Sequence, residues 1–159
     1  MPTESYLNGL IVVMLMFALS QFVPPERFRV KTEIAVSGYR ATARVPDLMV
    51  LTEEAAAALQ GAKRSILLFD MPPPALVVEV VSPGTENEQR DYRYKRSEYA
   101  ARGIREYWIV DAIAHQVMVL TWVAGLYEEA VLQGDQSICS MLFPDLQLTA
   151  NQILQAKTP

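Results

Sequence analysis

The stretch Pro74–Asp111 reads PALVVEVVSPGTENEQRDYRYKRSEYAARGIREYWIVD. Ala75–Val81 is a continuous β-branched and apolar run, as expected of a central strand buried on both faces. It holds one carboxylate, Glu79. A charge there costs several kcal/mol, about 3–5 when its partner is lost, so it requires a partner. Ser82-Pro83-Gly84 marks a turn. Asn87–Arg102 fits a helix with Gly103 at its C′ position, and on it Asp91, Lys95 and Tyr99 fall at i, i+4 and i+8 and share a face. Ile104–Val110 is the next strand, and Asp111 follows it. Strand, long helix, strand predicts a crossover, right-handed if the strands are parallel.

Outward from this unit, the N-terminal side begins with the apolar run Leu10–Leu19, half the length a membrane span needs. No basic residue precedes it, and no small-residue cleavage site follows. We read Tyr6–Val23 as a buried helix packed on the sheet and closed by Pro24-Pro25, with Met14 and Met16 filling gaps. Phe28–Val36 alternates as a strand, Ser37-Gly38 turns, and Arg40–Leu51 returns, which predicts a hairpin. Pro46 inside the return implies an edge, a bulge or a strand start. Thr52 is an N-cap for a helix that opens with Glu53 and Glu54, and Gly61–Asp70 is a connection. On the C-terminal side, His115–Trp122 and Leu126–Leu132 form a hairpin about Ala124-Gly125. The chain closes with a strand or turn and a short helix capped by Thr149. The expected fold is α/β, one domain over 1–159, with a mixed central sheet flanked by helices.

Composition narrows the function. At 159 residues with 51% hydrophobic and 20% charged residues, the chain is globular. The net charge of −4 argues against a surface coated in nucleic-acid contacts. Yet Arg90, Arg93, Lys95, Arg96, Arg102 and Arg105 crowd one window. They form either a local basic face or a solvated helix face balanced by Glu86, Glu88, Asp91 and Glu98. The single cysteine, Cys139, excludes an internal disulfide, and its apolar neighbours suggest a buried thiol. The single histidine, His115, excludes a two-histidine metal site and stands without a Gly-x-Ser-x-Gly motif, so it is a structural or surface residue. Tyr99, Tyr107 and Trp108 are core or rim aromatics, and Pro144-Asp145 is a turn.

The candidate chemistry lies in Asp47, directly after Pro46, and Glu79. If their strands are neighbours, both carboxylates can converge on one hard cation. Mg²⁺ takes one or two protein carboxylates plus waters and a substrate phosphate, and Mn²⁺ is an acceptable substitute. Lys95, on the helix after the Glu79 strand, is placed to stabilise charge on a reacting phosphate. Each has a structural alternative: Asp47 bracing a hairpin turn, Glu79 paired with an arginine such as Arg44, and Lys95 paired with Asp91.

Pro46-Asp47, Val78-Glu79-Val80-Val81-Ser82-Pro83, Asp91…Lys95…Tyr99 and Gly103-Ile104-Arg105-Glu106-Tyr107-Trp108-Ile109-Val110-Asp111 together resemble the Uma2 (DUF820) restriction-endonuclease family of the PD-(D/E)xK superfamily, over about residues 5 to 155. The resemblance implies a restriction-endonuclease-like core with Asp47 and Glu79 as metal-binding acids. The simple pattern puts a lysine two residues after the second acid, where this chain has Val81. The resemblance then implies a lysine migrated to the following helix, at Lys95. The family usually opens with a further strand region, so the N-terminus is expected to be shortened. The implied function is Mg²⁺-dependent hydrolysis of DNA by a cytoplasmic homodimer with no stable membrane insertion. The alternatives are a catalytically silent binding or assembly module of the same fold and a membrane-associated protein using Leu10–Leu19.

Overall fold

A computed structural model describes residues 6–38, 41–82 and 86–157, with the side chains of 86–91 outside the described set. The element order is α1 (Tyr6–Leu19), a 3-10 turn at Pro25–Arg27, β1 (Phe28–Arg29), β2 (Glu33–Ala35), β3 (Ala43–Arg44), β4 (Leu48–Val50), α2 (Glu53–Gln60), β5 (Ile66–Leu67), β6 (Leu76–Val80), α3 (Glu86–Ala101), β7 (Glu106–Asp111), β8 (Gln116–Val123), β9 (Leu126–Leu132) and α4 (Ala150–Leu154). The main sheet runs β1-β4-β6-β7-β8-β9, and β3-β2-β5 form a smaller one. β6 and β7 are parallel and joined through α3, while their outer neighbours β4 and β8 run antiparallel. This is the expected mixed sheet with helical cover.

Period-two alternation divides the core between the two faces of the main sheet. On one face Leu76, Val78, Val80, Trp108 and Val110 pack with Ile11, Leu15 and Leu19 of α1 and with Ile153 and Leu154 of α4. On the other, Val77, Tyr107 and Ile109 pack with Tyr99 and Ala100 of α3, Ala55 and Leu59 of α2, and Ile34 and Leu67 of the small sheet. Capping chemistry sets the helix ends as the residues predict. The Thr52 side chain accepts from Ala55 N at 3.0 Å, and Thr149 with Gln152 completes a capping box. Gly103 ends α3 at φ +75, a conformation open to glycine at little cost. Ala124 and Gly125 both take positive φ in the two-residue β8–β9 turn.

The predicted hairpin forms in a single register but is not continuous. β1 pairs β4 and β2 pairs β3, and the second pairing continues the first without a slip. Each arm breaks midway, at Val30–Thr32 and at Val45–Asp47, so that the inner half joins the main sheet and the outer half the small one. Pro46 accounts for the second break by removing a ladder donor. Opposite Asp47, Lys31 adopts φ +56. The connection Gly61–Asp70 contains β5, a short strand parallel to β2 that the residues alone did not announce.

Two further expectations need adjustment. α1 is buried on one side only, since Tyr6, Val13 and Phe17 are exposed, and no helix among the described residues is long and apolar enough to cross a membrane. Cys139 is exposed, because Ile138 and Ser140 on either side of it point inward. His115 lies at an exposed turn position with φ +53. Pro83 and Gly84 of the expected turn, and the side chains of Glu86, Glu88, Arg90 and Asp91, lie outside the described residues.

Candidate active site

Pairing of β4 with β6 sets Leu48 opposite Val78. One step further along that register, Asp47 stands opposite Glu79. Directly opposed residues share a face, with Cβ atoms about 4.5–5.5 Å apart. The shared face is the one covered by α3, since Met49 and Val77, two residues back on each strand, belong to that core. The condition set by the sequence, neighbouring strands with both acids on one side, is therefore met.

Asp47 is fixed by two bonds. Its Oδ2 accepts from Val80 N at 2.8 Å, which ties it to the β6 backbone just where the β4–β6 ladder ends. Its Oδ1 accepts from Lys31 Nζ at 2.5 Å. These bonds brace β6 and the opposite arm of the hairpin, not its turn, and hold the carboxylate in place.

Glu79 is 3% exposed. Its Oε1 accepts from Tyr99 OH at 2.8 Å and lies 3.3 Å from Lys95 Nζ. Among the described residues its Oε2 takes no hydrogen bond. Burial pushes the Glu79 carboxyl above its ordinary range and the neighbouring Asp47 charge adds to this, while Lys95 and the Tyr99 hydroxyl work against it. Tyr99 is held well above the usual phenol range, first by burial and then by the Glu79 charge, so it stays a neutral donor. α3 delivers both partners because positions 95 and 99 are one helical turn apart.

Arg44, considered as a partner for Glu79, is engaged elsewhere. It forks onto Glu98, with Nε to Oε2 at 2.6 Å and Nη2 to Oε1 at 2.9 Å. Glu98 is thus not one of the solvated acids balancing the basic window. It is 4% exposed, and a Cβ built on Gly38 would fall 2.5 Å from its Oε1 and 2.6 Å from Ala41 O. Two residues of the basic window are fasteners as well. Arg96 bonds Glu129 at 2.7 Å and the Tyr127 carbonyl at 3.1 Å, and Arg102 bonds the Leu68 carbonyl at 2.9 Å.

A further buried acid, Glu106, faces the α1 side and is structural. It accepts from Trp108 Nε1 (2.9 Å), Ser140 Oγ (2.9 Å), Met141 N (2.6 Å) and Leu142 N (3.1 Å). These bonds explain the Glu-x-Trp spacing: residues 106 and 108 share a strand face, and the indole donates to its own strand's acid.

Asp47, Glu79 and Lys95 therefore gather at one place, together with Lys31 and Tyr99, which the residues alone did not single out. The helical spacing of Lys95 and Tyr99 carried the signal for the latter; nothing local to Lys31 did. Among the described residues no group of three or more His, Cys, Asp or Glu side chains is placed to hold a metal. The two carboxylates offer only oxygen, one of them with an oxygen not yet hydrogen-bonded, and this donor set fits a hard divalent cation completed by water and substrate.

Comparison with known proteins bears on the fold and family. A search of curated proteins gave no match. Among solved structures the chain is similar to one described as "a putative nuclease belonging to DUF820 from Anabaena variabilis ATCC 29413". The TM-score is 0.70 at 14% sequence identity, over 98% of this chain and 84% of that one, which establishes a shared fold. The family model described as "Putative restriction endonuclease" matches residues 1–151. With that match spanning most of its length, the chain belongs to the Uma2 family.

Proposed function

We propose that this protein is a Mg²⁺-dependent phosphodiester hydrolase acting on DNA, with Mn²⁺ able to replace Mg²⁺. The observation that carries the reading is the cross-strand juxtaposition of Asp47 and Glu79 on the α3 face. These two carboxylates would hold the cation. Bound there, it would polarise a phosphoryl oxygen and lower the pKa of a water. The chain's own groups do the rest. Val80 N–H fixes the rotamer of Asp47, and Tyr99 fixes that of Glu79. Lys95, whose side chain is 15% exposed, keeps an ammonium beside Glu79 where it can offset charge building on a phosphate. We extend the proposal to a C2 homodimer, the commonest oligomer, whose two sites would address two strands.

The test is cleavage of duplex and single-stranded DNA with Mg²⁺ or Mn²⁺, alongside Asp47→Ala and Glu79→Ala. Each substitution is expected to abolish metal-dependent cleavage, a loss of at least about 10²-fold if the metal contributes several kcal/mol. Cleavage surviving both changes rejects the assignment. One observation favours a second reading, a catalytically silent module of the same fold: both acids already hold lysines. Calorimetry separates the two, since the silent module takes up no Mn²⁺. Light scattering reports the dimer.

A further inference from the structure

The hairpin that supplies Asp47 also supplies its competitor. The β1–β4 and β2–β3 pairings share one register across the break between them. In that register Lys31 lies opposite Asp47, as Asp47 lies opposite Glu79. The row across three neighbouring chain segments is therefore ammonium, carboxylate, carboxylate, and α3 closes it with the second ammonium, Lys95. Lys31 reaches its place from a backbone at φ +56, a left-handed conformation that a non-glycine residue rarely takes without cause. Its side chain is 49% exposed, against 15% for Lys95.

We propose, resting on the metal reading above, that Lys31 competes with the divalent cation for Asp47 Oδ1 and so sets the concentration at which the site loads. A divalent cation and an ammonium at contact distance on one carboxylate oxygen repel each other, so each weakens the other's hold. The cation can displace only the ammonium that has solvent to retreat into, and that is Lys31. Lys95, buried against Glu79 and Tyr99, stays where a reacting phosphate needs it. The hydrogen bond from Val80 N to Oδ2 holds Asp47 still during the exchange.

The experiment is Mn²⁺ titration by calorimetry of the full chain, wild type against Lys31→Met, with Asp47→Asn as the control. The methionine keeps the unbranched shape and most of the length of the side chain and removes its charge. Binding about tenfold tighter or more in Lys31→Met is expected from deleting a contact cation in partial solvent. Lys31→Gly, which suits φ +56 and also lacks the ammonium, should tighten binding likewise and guards against a folding defect of the first variant. If wild type binds Mn²⁺, Asp47→Asn does not, and neither Lys31 variant binds more tightly, the competition is refuted while the metal reading stands. Absence of binding in every chain, or binding that survives Asp47→Asn, refutes both.

Discussion

At the scale of single residues, Glu79 carries a cost that the fold accepts. An acid in the middle of a five-residue strand buried throughout should be selected against unless its charge is used. Its raised pKa, due mainly to burial, has a definite sign for stability. Below the ordinary value of 4.5 the group is protonated in both folded and unfolded chains, and its burial costs nothing in charge. As pH rises through the folded pKa, the unfolded chain ionises more readily than the folded one, and the wild type loses stability. Glu79→Gln, neutral throughout, escapes that loss. Denaturant midpoints from pH 4.5 upward to about 8 should therefore show Glu79→Gln gaining on wild type as pH rises. A gap that stays flat or narrows would contradict the burial argument. The anomaly of this one acid is legible in the residues alone, because an apolar run makes a lone carboxylate conspicuous. Lys31 is not, since a lysine at the end of an alternating strand looks like ordinary solvent-facing charge.

Among elements, the decisive one is the hairpin from β1 to β4. Its two halves serve different sheets, and the place where they part is where Asp47 and Lys31 face each other. The outer half is pinned by the Arg44–Glu98 fork, which ties β3 to α3, the helix that carries Lys95. Gly38 makes room for it. A methyl group there would meet both the Glu98 carboxylate and the Ala41 carbonyl, and the second, being backbone, yields poorly. Gly38→Ala should cost about 1–3 kcal/mol, typical of forcing extra volume into a packed site, read as a lowered urea midpoint with an unchanged slope. An unaffected midpoint would mean that the turn relaxes freely and does not anchor α3. Alternation and the Ser37-Gly38 turn foretold the hairpin. They could not foretell its division, because Pro46 is compatible with an edge, a bulge or a strand start until a neighbouring strand decides.

Across the whole molecule, Glu106 performs on the α1 face what Glu79 and Asp47 do not: it is wholly consumed by structure. It joins the start of β7 to Ser140–Leu142, more than thirty residues away in the chain, and so fastens the C-terminal segment with Phe143 and α4 over the sheet. Glu106→Ala strands the Trp108 indole and two backbone amides, each costing about 1–3 kcal/mol when buried without a partner. The loss should reach at least about 3 kcal/mol. Hydrogen exchange should quicken first at the Met141 and Leu142 amides, while those of β6 remain protected. Equal acceleration across the sheet would show that the segment is no separate unit.

The chain by itself determined what neighbouring residues can settle. The Thr52 and Thr149 caps, the Gly103 stop, the Ala124-Gly125 turn and the β6–α3–β7 unit all follow from short-range sterics, hydrogen bonding and periodicity, which act within a few positions. It also exposed Asp47 and Glu79 as acids in need of a reason. Only the tertiary structure decided which strands lie side by side, that Arg44 serves Glu98 and not Glu79, that Cys139 faces solvent, and that Lys31 meets Asp47. Those outcomes depend on the register between segments distant in sequence and on competition among several charges for few buried partners, and neither is encoded in any one stretch.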